Sequence, residues 1–132
     1  MNSETDFQRG AKPYKTTTDL TGKEGYVVKM VNGGDGKAAL TLPAAATDVV
    51  VMVVTEVEGA TSAVAKPLTP WIPTRVRLSG TCNPGDMIGL ATGANLGKAL
   101  KVTAAGTRFI GIAEESGVDG QLLLIRPLNG TL

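Results

Sequence analysis

The stretch Arg108-Phe109-Ile110-Gly111-Ile112-Ala113 decides the fold. Ile110 and Ile112 stand two apart, the spacing that puts side chains on one face of a strand. Gly111 between them lets another backbone come close. The pattern repeats in both directions. Downstream, the polar run 114–120 gives way to Leu122-Leu123-Leu124-Ile125, apolar on both faces and closed by Pro127. Upstream, residues 98–102 alternate with Leu100 and Val102 inward, and residues 86–91 form a strand interrupted by Gly89. Asn83-Pro84-Gly85-Asp86 sets Pro and Gly at the central positions of a type II turn. Residues 75–78 place Val76 and Leu78 inward and two arginines outward.

The half that precedes this stretch adds three strands. Residues 26–31 and 37–42 flank Asn32-Gly33-Gly34-Asp35-Gly36, a loop rich in residues that tolerate positive φ, and so read as a hairpin. The loop superficially suggests a phosphate-binding loop, but the spacing is wrong and Ala38 stands where Ser or Thr would hold magnesium. It also suggests a calcium-binding glycine-aspartate repeat, which does not recur. Residues 48–58 contain the unbroken run Val49-Val50-Val51-Met52-Val53-Val54, the pattern of a strand covered on both faces. One face meets the core; the other requires a second sheet, a loop or a neighbouring subunit.

Residues 59–73 read as a crossing between sheets, because Pro67, Pro70 and Pro73 at a spacing of three favour an extended path. Trp71 and Ile72 are expected to plug onto the core there. Residues 44–46 or 60–65 have room for one helical turn and nothing longer. Residues 1–22 are polar and lack apolar periodicity; Phe7 and Tyr14 are their large anchors. Such a segment does not offset its own ordering entropy, so it is either a disordered leader or an arm that orders against another molecule.

These readings define an all-β protein: a small β-sandwich or partly open β-barrel of about eight short strands, with an extended N-terminal arm over 1–22 and one β-domain over 23–132. Turn signals every ~8–12 residues favour that architecture. So does the composition, with 17 glycines in 132 residues, nearly twice the ordinary share of ~7%.

The same composition removes most chemistry. There is no histidine, so the commonest general base, the usual triads and most zinc sites are excluded. Cys82 is a lone cysteine beside a turn, without a base to activate it, and reads as a small core filler. Glu114, Glu115 and Asp119 cluster, but in a glycine-bounded loop with little apolar beside them to raise a pKa. No cofactor, metal or catalytic residue is expected, and the chain does not read as an enzyme. Thirteen cations and 12 anions give +1, with no basic face for nucleic acid. The longest apolar run is far below the ~18–20 residues that span a bilayer, and the first residues lack the features of a secretion signal.

Gly85-Asp86-Met87-Ile88, a glycine loop, Lys98-Ala99-Leu100-Lys101-Val102, then Ile110-Gly111-Ile112-Ala113 and an apolar strand after Gly120 together resemble the capsid decoration (cement) proteins of tailed bacteriophages. The resemblance covers residues 74–127. It implies a β-rich, often trimeric protein, made in the host cytoplasm, that sits on the outer capsid surface of the virion and clamps neighbouring major capsid subunits. An N-terminal arm often reaches across to a neighbour in that family. Phe7, Tyr14, Trp71 and Ile72 are the residues expected to contact capsid or a second subunit. The other virion reading is a tail-fibre or baseplate receptor-binding module, with ligand contacts in loops such as 92–97.

Overall fold

The computed structural model describes residues 11–132. Ten strands form two five-stranded sheets, and the only helical element among the described residues is a 3-10 turn at Gly93–Asn95. The first sheet closes into a barrel in the order β1-β3-β2-β4-β5, built from β1 (Lys12–Thr16), β2 (Val27–Asn32), β3 (Ala38–Thr41), β4 (Met52–Gly59) and β5 (Ser62–Pro67). The second runs β6-β10-β9-β7-β8, from β6 (Thr74–Arg77), β7 (Met87–Leu90), β8 (Ala99–Lys101), β9 (Arg108–Ala113) and β10 (Leu122–Thr131). Its two outer strands touch at one end, where Leu78 bridges Ala99 and the Ser79 N–H donates to Ala99 O at 2.7 Å. The expected all-β architecture of sandwich and barrel is what the chain adopts.

Two apolar clusters hold it together. The barrel interior contains Leu20, Val28, Leu40, Met52, Val54, Ala63 and Ala65. The second cluster lies between barrel and sheet, where Val27 and Val53 meet Val76, Leu78, Ile88, Leu123 and Ile125. β4 therefore serves both cores, with Met52 and Val54 turned into the barrel and Val53 turned toward the second sheet. The run that demanded cover on both faces finds it within its own chain. The strand starts later than expected: Val49 and Val51 lie outside it and are exposed.

Leu123 and Ile125 alternate into the buried cluster from β10, whereas in β9 both Ile110 and Ala113 join it and Ile112, on the face of Ile110, is half-buried beside Arg126. A Cβ at Gly111 would lie 2.8 Å from Arg126 O, so that position does serve close backbone approach. Asn83-Pro84-Gly85-Asp86 forms its turn with φ of +88° at Gly85 and an Asp86 N–H to Asn83 O bond of 3.1 Å. In β8 the buried residue is Ala99, whereas Leu100 and Val102, expected inward, are half-buried.

Two strands lack the usual signals. Ser62–Pro67, where a crossing or a helical turn was expected, pairs along β4 as β5, with two register shifts. Lys12–Thr16, part of the expected arm, is β1: Lys12 pairs with Ala65, and Lys15 and Thr16 run parallel to Ala39 and Leu40. Barrel closure gives these segments partners that their own side chains do not announce.

Candidate functional site

The connection from β5 to β6 carries the most unusual geometry. Thr69-Pro70-Trp71-Ile72 is a tight turn closed by the Ile72 N–H to Thr69 O at 3.1 Å. Pro70 at its first central position pre-sets φ, and Trp71 follows with φ +67°. That is the type II arrangement, in which the second central residue is normally Gly or Asn. Trp71 is the one non-glycine residue with positive φ among those described. Holding a bulky side chain there costs about 1–3 kcal/mol.

Several bonds enforce the conformation. The Trp71 N–H donates to Pro127 O at 3.0 Å, and Arg126 Nη1 donates to Trp71 O at 3.1 Å. The Arg126 guanidinium is in turn anchored by Glu114. The consequence is a rigid display: Trp71 and Ile72 are each 59% exposed, flanked by exposed Pro70 and Pro73. This corrects the expectation that they plug the core. The left-handed backbone turns them outward, while Leu68 and Thr74 on either side supply the buried contacts. Trp71 is thus held in a strained conformation with most of its surface, and most of Ile72's, facing water.

The other expected contact residues do not join it. Tyr14 is half-buried on β1 against the barrel cluster, with Lys12 Nζ 4.9 Å from its ring centroid. Phe7 lies outside the described residues. The loop 92–97 exposes Thr92, Gly93, Ala94 and Asn95, half-buries Leu96 and carries no charged side chain, and Gly97 O anchors it by accepting from the Val27 N–H at 2.8 Å.

The carboxylates of 114–120 serve structure. Glu115 accepts from the Leu124 N–H and from Arg75, each at 3.0 Å; the first bond leads in holding its pKa below the usual range. Asp119 accepts from the Gly80 N–H at 2.9 Å. Cys82 is buried in the second cluster, and burial pushes its thiol pKa up, away from the reactive thiolate. Among the described residues no cluster of three His, Cys, Asp or Glu side chains is placed to hold a metal ion. The strained, exposed turn at Trp71 thus stands apart from these structural roles.

No family model matches the chain, and no curated protein matches it. Among solved structures, the N base of the head fiber gp8.5 of bacteriophage phi29 is similar, with a TM-score of 0.68 and 18% sequence identity. The likeness covers 92% of this chain and 96% of that one, so it extends to both sheets. At that identity it is a likeness of fold.

Proposed function

We propose that this chain is a structural protein of a bacteriophage virion that binds the outer surface of the capsid and stabilises the shell. The observation that carries the reading is the rigid, exposed Trp71–Ile72 turn on a domain with the fold of a phage head-fiber base. The motif resemblance over 74–127 supports the same class. Tryptophan is enriched among residues that dominate binding energy, through apolar area buried at little entropic cost.

In this reading Trp71 and Ile72 enter an apolar pocket of the major capsid protein, and the chain acts as a homotrimer without catalysis or cofactor. Three linked copies clamp neighbouring shell subunits, so modest contacts add through effective concentration. A ligand selective for the assembled shell stabilises it by mass action.

The test is copy number in purified particles, by quantitative mass spectrometry against the shell protein. One copy per shell subunit, or a simple fraction of it, supports decoration. A handful per particle moves the chain to the tail, and absence from the particle overturns the virion reading. Trp71→Ala and Ile72→Ala chains are expected to fold yet lose most of their co-sedimentation with particles. Undiminished binding would remove the turn from the account.

A further inference from the structure

β6 stands at one end of its sheet's strand order, so one of its edges faces away from β10. Arg77 pairs with Leu122 and Arg75 with Leu124, while the Leu78 N–H donates to Gln121 O at 2.8 Å. Main-chain groups alternate sides along an antiparallel strand. Those of Val76 and Leu78 thus point to β10, and those of Arg75 and Arg77 point off the edge. From Arg77 onward that edge is used: the Arg77 N–H reaches Gly25 O at 2.8 Å, and the Ser79 N–H reaches Ala99 O. Arg75 has no such partner among the described residues.

Arg75 instead borders a cleft of about 410 Å³ between barrel and sheet. The opposite wall is β4 at Val53, Val54 and Thr55. There β4's pairing with β2 stops at Val53 and is continued by Tyr26 and Gly25 only through Val54, whose N–H donates to Tyr26 O at 2.9 Å, while the strand runs on to Gly59. Gly25 shows how a main chain sits in this slot: its N–H donates to Val54 O and its carbonyl accepts from Arg77, both at 2.8 Å. One residue already bridges β4 to β6 as a strand would. Leu122 and Leu124 add apolar lining. Lys66 and Glu24 also line the cleft, and neither has an ion-pair partner among the described residues.

We propose that this cleft accepts a short extended segment of a partner polypeptide by strand addition to the edge of β6. The segment's main chain bonds Arg75, an apolar side chain meets Leu122 and Leu124, and flanking residues present a carboxylate to Lys66 and a cation to Glu24. Strand addition draws affinity from main-chain bonds and specificity from alternate side-chain pockets. The four-residue length of β6, Pro73 before it and its arginines limit such pairing to a few residues, which guards against aggregation along the edge. This goes beyond the capsid reading and stands whichever surface Trp71 meets.

The experiment is an NMR titration of the full ¹⁵N-labelled chain with the peptide acetyl-Thr-Glu-Val-Lys-Thr-amide. The expected result is saturable binding of about millimolar Kd, with shifts at Gly25, Thr55, Lys66 and Arg75. Exchange of the Arg75 amide should slow about tenfold as it gains a partner. Lys66→Glu is expected to weaken binding about fivefold by reversing the charge the carboxylate meets. A peptide N-methylated through its main chain should not bind. Absence of saturable shifts overturns the proposal, as does unchanged Arg75 exchange or equal binding of the N-methylated peptide. Undiminished affinity in Lys66→Glu overturns the charge pairing.

Discussion

The barrel and the second sheet are both five-stranded, yet they are finished differently. The barrel closes on itself, so its strand edges are largely consumed by pairing, and its small interior is filled in part by Ala63 and Ala65. The second sheet meets end to end only at Leu78 and Ala99, keeps an open edge at Arg75, and carries the strained turn pinned by Arg126 and Pro127. Closure removes sites where another chain can attach; an incomplete sheet retains them. The barrel thus keeps fewer free strand edges than the second sheet.

That division is mechanical and not thermodynamic, because β4 contributes to both cores. Leu40→Ala in the barrel and Leu123→Ala in the second cluster each remove a fully buried side chain, and each should cost about 2–5 kcal/mol. Calorimetry should show one transition lowered in both variants. Two separated transitions would break the comparison by making the sheets independent domains. Next in size is Gly111→Ala, whose Cβ would meet Arg126 O at 2.8 Å. It should destabilise by about 1–3 kcal/mol in denaturant titration, and a neutral result would show that β9 and β10 can separate without cost.

Trp71→Asn sharpens the contrast from the other side. Asn tolerates the left-handed conformation, so this variant should gain about 1 kcal/mol while losing particle binding. That trade of stability against function is expected of a docking element. A destabilised variant would mean that the indole contributes to the fold.

The smallest effect is in pH. Asp48 is held below its usual pKa first by the Ala44 N–H and then by Lys29; Asp86 is held down first by the Asn83 N–H. A carboxyl group with a depressed folded pKa stabilises the protein above its unfolded value, about 3.9, and that contribution is lost as pH falls through the folded value. Melting temperature should therefore be level near neutrality and decline in acid below about pH 4. Asp48→Asn, in the barrel, and Asp86→Asn, in the second sheet, should each reduce that decline. Equal acid sensitivity in both variants and the parent would assign it elsewhere.

The open sheet was the more legible half. All of its strands follow from short-range signals: alternation in 75–78, Pro84-Gly85 at a turn, Gly111 between two isoleucines, and four apolar residues before Pro127. In the barrel, β2, β3 and β4 are announced by a glycine loop and a valine run, whereas β1 and β5 are not. Lys12-Pro13-Tyr14-Lys15-Thr16 has no apolar alternation, and Ser62–Pro67 draws on alanine, a weak strand former. The Trp71 turn was half visible. Pro70 marks a first central turn position, but Trp71 occupies a place where glycine or asparagine would have declared the positive φ.

By itself the amino-acid order determined the strand class, the turns built on proline and glycine, and the absence of histidine chemistry, because these depend on neighbours within a few residues. Tertiary structure decided which strands share an edge, that β4 is covered by its own chain, that Trp71 and Ile72 face water, and that the outward main chain of Arg75 has no partner among the described residues. Those outcomes rest on contacts between residues distant in sequence, such as Trp71 with Pro127 and Gly25 with Arg77. No local propensity encodes them.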